Sequence, residues 1–462
     1  MRDSSQASER AVTRPSVESL TLATGSVRQR AAAALDRTLS SKTSAEVHLA
    51  AAAEGLGAAD RRLLFELVLG SLRWLRRLDW TLGGAAGRSF GKVEPAVRAP
   101  LRIAAYQLLF LDRIPSYAAV DEAVTEVRRR GRKRAVGFAN AVLRRLAGRR
   151  SLDDWPVSGA CDVERLGIES SHPDFMVRRW LERFGAARTR ELLAANNEPK
   201  PMHVLCMASP VAVAAELRAE GVETSRDVLS PVGLEVRAGD PLQTEAFKRG
   251  RIYIQDDASQ ASALVPPPRP GERILDVAAS PGGKSFALAA AEPSVALAAA
   301  DVSLSRLLTL RENRRRLDRQ LRLLVADARR PALSSAFDRV ICDLPCSGTG
   351  TIARHPELKW RLSPQGIDAL ASRGATVLHS ASDLVCEGGI LCMITCSLEP
   401  EENEGMVNRF LQSDSRFSLL ALDGRVPQRM VSGVETRYRW RVLTTSRHDG
   451  FTVHVLRRRR RD

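Results

Sequence analysis

No stretch of this 462-residue chain supplies the roughly 20 uninterrupted apolar residues that a membrane span requires, because the longest Ala-rich run, around Phe286 to Ala300, is broken by Glu292 and Pro293. The first 25 residues are polar, rich in Ser, Thr, Glu and Arg, and lack the apolar core of a secretory signal. A soluble protein of the cytoplasm with no membrane contact is expected. Cysteine is sparse and odd in number: seven residues, five of which (Cys342, Cys346, Cys386, Cys392, Cys396) fall in one stretch. Without an export signal, that distribution argues against disulfides. Two nucleotide signatures are missing as well. The run Gly283-Lys284-Ser285 ends like a P-loop, but Ala278 stands where that motif needs glycine, and there is no G-x-G-x-x-G fingerprint. A nucleoside triphosphatase and a dinucleotide-dependent dehydrogenase are both disfavoured.

What is present describes a multidomain globular protein. Hydrophobic residues make up 44% and charged residues 27% of the chain, the range of water-soluble folds, and the length exceeds what one core usually supports. The net charge of +16 favours a polyanionic partner such as nucleic acid. The excess is clustered at Arg128, Arg129, Arg130, Arg132, Lys133 and Arg134, at Arg314 to Arg316, and at Arg457 to Arg461. Each run taken alone also fits a solvated helix face or a frayed tail.

Residues 1–25 lack apolar periodicity and are expected to be a disordered tail. Residues 26–150 read as all-α, with Leu63, Leu64, Leu67, Val68 and Leu72 in one stretch and Val120, Ala123, Val124 and Val127 at helical spacing in another. Gly83-Gly84 punctuates this region, and Ser116 after Pro115 can cap a helix. Residues 151–245 combine a polar linker, helical signals at Phe175 to Phe184 and Ala187 to Ala195, and a small β-α-β piece over Met202 to Val236, suited to RNA recognition or to packing. Over 246–462 apolar strands alternate with helices, ending with Ile367 to Cys386 and Ile390 to Thr395. That alternation predicts a doubly wound, Rossmann-like α/β sheet with ligands at the strands' carboxyl ends.

One such end is the strand Arg273 to Val277, which enters Ala278-Ala279-Ser280-Pro281-Gly282-Gly283-Lys284 before a helix. Small residues let the backbone approach a ligand and leave helix amides available beyond it. Asp301 ends the next strand, at about the distance where an acidic residue accepts bonds from ribose hydroxyls. Asp327 ends the strand after that, placed to face the base of a nucleoside. A nucleoside without a pyrophosphate suits this set better than a Gly-rich turn serving packing alone.

Two further strand ends carry cysteine: Asp343-Leu344-Pro345-Cys346-Ser347-Gly348-Thr349-Gly350 and Thr395-Cys396-Ser397-Leu398-Glu399-Pro400-Glu401-Glu402-Asn403-Glu404. Cys342/Cys346 and Cys392/Cys396 form two C-x-x-x-C pairs, so zinc is a rival reading. Residues four apart on a strand are roughly 13 Å apart, however, and no metal is expected. Cys342, Cys386 and Cys392 read as buried small apolar residues.

With the Pro281-Gly282-Gly283-Lys284 loop, these ordered motifs resemble those of the Nol/Nop/Sun family of RNA cytosine-5 methyltransferases. The amino-terminal helices, ending in Phe138-Ala139-Asn140-Ala141-Val142-Leu143-Arg144-Arg145, resemble the RNA-binding NusB-like domain and narrow the likeness to the bacterial small-subunit rRNA methyltransferase B group. Further matches are Asn196-Asn197-Glu198-Pro199, Tyr253 to Gln260, and Arg354 to Trp360. Two positions depart: Ala278 stands where members often have Cys, and Leu205-Cys206-Met207 where they have Arg-Val-Asn. The resemblance implies S-adenosylmethionine as methyl donor, held by the 278–284 loop, Asp301, Asp327 and Asp343. It implies an RNA partner, with cytosine 967 of 16S rRNA as target, and no obligate protein partner. Cys396 is then the nucleophile at carbon 6, Cys346 assists product release, and Asp343 bonds the N3/N4 edge of the base. This chemistry exploits the weak nucleophilicity of carbon 5 until a thiolate adds at carbon 6. A tRNA target by the same chemistry, and a catalytically idle rRNA-binding assembly factor, are the alternatives; intact Cys346 and Cys396 weigh against the second.

Overall fold

The computed structural model describes residues 24–158, 161–226, 228–330, 333 and 337–460. The tail expected over 1–25 lies almost wholly outside the described residues, as does Arg461. The chain forms two compact units: residues up to Arg178 with His355–Trp360, and Arg179–Arg354 with Arg361–Asp462.

The first unit is all-helical, as the apolar spacing predicts. Helices Val27–Ser40, Ala58–Arg73, Leu75–Ala86, Pro95–Phe110, Ser116–Arg129 and Val136–Ala147 enclose a core that includes Leu35, Leu64, Leu67, Leu72, Leu78, Leu101, Val127 and Leu143. Local punctuation differs from expectation. Gly83-Gly84 lies inside its helix, which ends at Gly87, and Pro115 takes the N-cap position with Ser116 as the first helical residue. The motif segment His355–Trp360 belongs to this unit. Lys359 is buried and donates to the carbonyl of Arg73 at 2.7 Å, the Trp360 indole donates to Leu72 O at 2.7 Å, and Glu357 accepts from Ala45 N at 3.0 Å. Part of the basic run is structural too: Arg130 binds Asp36 and Glu126, Arg129 binds Glu126, and Arg132 binds Glu94.

The second unit holds two sheets. Strands β1 (His203–Cys206), β2 (Glu223–Ser225), β3 (Gly233–Ala238) and β4 (Ile252–Ile254) form an antiparallel sheet in the order β2-β3-β1-β4. Leu205, Cys206 and Met207, which stand where the resemblance implies Arg-Val-Asn, are all buried and serve packing here. The larger sheet contains β5 (Arg273–Asp276), β6 (Ala296–Asp301), β7 (Leu321–Val325), β8 (Phe337–Asp343), β9 (Val385–Thr395), β10 (Phe417–Leu419), β11 (Val434–Thr436), β12 (Arg439–Val442) and β13 (Phe451–Arg458). Its order is β11-β12-β13-β9-β8-β5-β6-β7, with β10 on β13. Strands β9-β8-β5-β6-β7 are parallel, whereas β13 runs antiparallel to β9. Sequence alternation anticipates the parallel half but not the antiparallel edge.

Successive residues along the parallel strands feed opposite cores. Ile274, Ile341, Cys392 and Ile394 pack on one face, and Leu275, Val340, Cys342 and Met393 on the other. Cys342 and Cys392 are thus buried small residues, as expected, and lie on opposite faces of the sheet, so one ion cannot join these two. Cys386 differs: it is part-exposed at the start of β9, with its thiol 3.4 Å from Asp338 Oδ1, because the helix before it stops at Ser382.

Candidate active site

The strand order reverses around β5, which has β6 on one side and β8 on the other, so the sheet opens a crevice at these carboxyl ends. Asp276, Asp301 and Asp343 are the last residues of β5, β6 and β8, and Cys396 follows the last residue of β9. Parallel registers, Asp276 opposite Ile341 and Asp343 opposite Ile394, bring these ends to one edge.

The loop after β5 is tied down at Val277, whose N–H donates to Ile341 O at 3.1 Å, and at Ala279, whose N–H donates to Ala300 O at 2.9 Å. Gly282 has φ 115°, and a Cβ there would sit 2.3 Å from the Phe286 ring, so glycine alone permits both the turn and the packing. The helix Gly283–Ala291 then starts beneath the crevice. Lys284 is buried, with Nζ 2.5 Å from Asp343 Oδ2. Burial opposes its charge, but the carboxylate of Asp343, with Cys396 and Asp276 nearby, outweighs it and holds the ammonium above its ordinary range. Asp276 accepts from Ser285 Oγ at 2.8 Å, yet burial pushes its carboxyl up to about 6.

A cleft of about 200 Å³ opens here, lined by Ala278, Ala279, Ser280, Pro281, Gly283, Lys284, Asp276 and Asp343, and by Tyr253, Ile254, Gln255 and Ser259. Two buried polar atoms on this lining, Ser280 Oγ and Gln255 Oε1, have no hydrogen-bond partner among the described residues. Buried polar atoms are ordinarily satisfied, so the pair marks where a ligand's polar groups would sit. Gly282 and Asp301 flank the cleft instead of lining it. Asp301 is buried and accepts from Ser303 N at 2.8 Å and from Arg306 at 2.9 Å. Asp327 does not end its strand as expected: β7 stops at Val325, and Asp327, two residues beyond, is gripped by Arg329 at 2.7 Å, whose hydrogen bonds hold its carboxyl down at about 2.

The two cysteines named from sequence meet. Cys346 Sγ and Cys396 Sγ are 3.4 Å apart, and both residues are part-exposed. The contact with Cys396, then burial, then the charges of Cys396, Glu402 and Asp343 drive the Cys346 thiol well above its ordinary value. Their loops are stitched together: Gly350 N donates to Cys396 O at 2.9 Å and Gly450 N to Gly350 O at 2.7 Å. A Cβ on Gly350 would lie 2.2 Å from Gly450 O, so this close approach requires glycine. Side chains complete the seam. Leu398 N donates to Thr349 Oγ1 at 2.9 Å, Asn403 Nδ2 donates to the carbonyls of Ser397 and Glu399, and Glu402 accepts from both the N–H and the hydroxyl of Ser347.

Residue reading did not single out Gln255, Ser347, Thr349, Ser397, Glu402 or Asn403. All six lie inside the quoted motifs, but their partners are up to about 55 residues away along the chain, where no local pattern reaches.

Comparison with known proteins places the whole chain in a family. Residues 263–457 match the 16S rRNA methyltransferase RsmB/F model, 25–148 the NusB family, and 172–243 the RsmF/B-like ferredoxin-like domain. Ribosomal RNA small subunit methyltransferase B of Erwinia tasmaniensis is 33% identical, covering 80% of this chain and 86% of its own length. Its counterpart in Pseudomonas syringae pv. tomato is 32% identical over 92% of this chain and 95% of its own. Among solved structures, that of PH0851 superposes with TM-score 0.75 at 24% identity, covering 94% and 99% of the two chains, a likeness of fold. NSun6 from Pyrococcus horikoshii, crystallised with SFG, shares the fold at TM-score 0.53 and 21% identity, covering 61% of this chain and 97% of its own. The chain belongs to the ribosomal RNA small subunit methyltransferase B family of S-adenosylmethionine-dependent RNA methyltransferases.

Proposed function

We propose that this protein methylates carbon 5 of a cytosine in small-subunit rRNA, at position 967 of 16S rRNA, through a covalent bond between Cys396 and the base. The observation that carries the reading is the 3.4 Å approach of Cys346 and Cys396 beside the Lys284–Asp343 pair.

The cleft suits an adenosine-bearing methyl donor. Ser280 Oγ and Gln255 Oε1 are buried without partners, and carboxylates stand at the neighbouring strand ends. The 278–284 loop, Asp301, Asp327 and Asp343 would hold it. S-adenosylmethionine, when bound, supplies an electrophilic methyl group.

On the RNA side, the Cys396 thiolate adds to carbon 6, and the displaced electron pair makes carbon 5 nucleophilic. Asp343 bonds the N3/N4 edge, where charge develops during addition. After carbon 5 has been methylated, its proton is lost to solvent, the 5,6 double bond re-forms, and the carbon–sulfur bond breaks with its electrons on Cys396. The Cys346 thiol, within reach of that sulfur, donates a hydrogen bond to it and makes it a better leaving group.

The basic surface fits RNA, although Arg129, Arg130 and Arg132 already serve carboxylates within the helical unit. The phosphate-contact role then falls on Arg128, Lys133, Arg134 and the exposed carboxyl-terminal arginines. Bisulfite mapping of cellular RNA with and without the gene tests the reading. One 16S rRNA cytosine should lose methylation; loss at a tRNA position instead would move the target, and no loss anywhere would remove the activity.

A further inference from the structure

Glu402 stands out among the buried groups. It is fully buried on the short turn Pro400–Glu402, one residue before Asn403. Its Oε1 accepts from Ser347 N at 2.7 Å and its Oε2 from Ser347 Oγ at 2.6 Å. Ser347 Oγ in turn lies 3.1 Å from Ser397 Oγ. Ser347 and Ser397 are the residues immediately after Cys346 and Cys396, so one carboxylate grips the neighbour of each sulfur.

We propose that Glu402 is a positioning residue of the methyl-transfer site, which in its charged form locks the two cysteine loops in register and keeps the proton on Cys346, so that this thiol donates to the sulfur of Cys396. The proposal rests on the reading under Proposed function. Two bonds from Ser347 reward the ionised form, because a carboxylate is a better acceptor than a carboxylic acid. Its negative charge beside Cys346 disfavours a second thiolate there, which separates the chemical roles of two otherwise similar sulfurs.

Among the described residues no cation bonds Glu402; Arg409 of the helix Glu404–Ser413, packed on the same turn, donates to the Glu401 carbonyl instead. Glu399 on the same stretch is also acidic, and Cys346 faces Glu402 from the neighbouring loop. Arg179 and Arg183 of the helix Asp174–Asn197 engage Glu399, Glu401 and Glu404 instead. The helix Pro364–Ser382, packed on the turn, carries Asp368, Arg373 and His379, and among the described residues none of these bonds to Glu402. Burial, with Glu399 adding to it, therefore pushes Glu402 up to about 7 despite the serine bonds. The clamp engages as pH rises through neutrality.

The test uses the full-length protein in single-turnover methyl transfer to unmethylated rRNA over pH 6 to 9, with S-adenosylmethionine affinity and iodoacetamide labelling of Cys346 read in parallel. Wild-type rate should climb through about pH 7. E402Q should run about 10- to 100-fold slower and lose that limb, keep cofactor affinity, and expose Cys346 to faster alkylation. S347A, which removes one donor and leaves the backbone N–H, should move the limb upward by about one pH unit, and it carries the test should E402Q not fold. Unchanged limbs and unchanged labelling, or losses equal at every pH, would overturn the proposal. A wild-type protein that methylates no cytosine would instead sink the underlying reading, while labelling of Cys346 still reports on Glu402 without RNA.

Discussion

Two regions share the carboxyl edge of one sheet and are built in opposite ways. Among the described residues, the cleft after β5 leaves Ser280 Oγ and Gln255 Oε1 buried without partners, whereas the cysteine seam satisfies Ser347, Thr349, Ser397 and Asn403 internally. Unpaired buried polar atoms cost free energy, so the first region has hydrogen-bonding capacity left for a ligand. The second must hold two thiols in place whether or not RNA is present, and its hydrogen bonds close on themselves.

The largest break in that contrast comes from the thiols. Cys396→Ala should lower methyl transfer on the order of 1000-fold or more and leave no covalent complex. Cys346→Ala should permit addition and methylation but slow elimination, leaving protein on methylated RNA as a denaturant-resistant band on gels. The opposite pattern would exchange the two roles.

Next comes Gly282→Ala in the cofactor loop. With φ at 115° and the Phe286 ring 2.3 Å from the new methyl group, the loop must shift, at a cost of about 1–3 kcal/mol. Calorimetry should find S-adenosylmethionine binding weakened along with stability. An unchanged protein would mean that the loop adopts another conformation.

The sharpest comparison sets two serines side by side. Ser347→Ala deprives Glu402 of a hydrogen-bond donor and should lower unfolding stability by about 1–3 kcal/mol, as read by denaturant titration of the cofactor-free protein. Ser280→Ala removes a hydroxyl that bonds nothing among the described residues, so cofactor-free stability should hold while cofactor affinity falls roughly 3- to 10-fold. Equal stability losses would erase the distinction between the two regions.

The smallest effect is graded with pH. Burial raises Asp276 to about 6 and Glu402 to about 7, so near neutrality the folded protein retains protons that the unfolded chain has released. Stability carried by those protons is complete below the ordinary carboxyl range and is lost as pH rises through these values. His454, held down at about 3 by burial, acts in the other sense, and its contribution fades only as pH falls below the usual histidine range. The thermal midpoint should therefore decline as pH rises from the ordinary carboxyl range to about 7, and less so in E402Q. A rise over that window would contradict the assignment.

Much of this molecule is legible in order along the chain. The helical spacing of Val120, Ala123 and Val127 marks buried faces, the strand-then-helix alternation marks a parallel sheet, and Asp276, Asp301 and Asp343 stand at strand ends because each apolar run stops there. The carboxyl-terminal strands escape this reading. β10, β11 and β12 have three, three and four residues, too few for a period to show. The segment Arg354–Trp360 reads as part of the methyltransferase region, yet Lys359 and Trp360 bond Arg73 and Leu72 in the helical unit. Arg130 and Arg132 resemble a phosphate stripe until Asp36 and Glu94 are seen beside them.

By itself, then, the sequence determines the strand ends, the glycine-dependent turn at Gly282 and the cysteines that follow two strands, because each depends on residue type and short-range spacing. Only the tertiary structure decides that Cys346 and Cys396 touch, that Lys284 pairs with Asp343, and that Glu402 grips Ser347. Those contacts span about 50 to 59 positions, and it is the register of parallel neighbours β5, β8 and β9 that closes the distance.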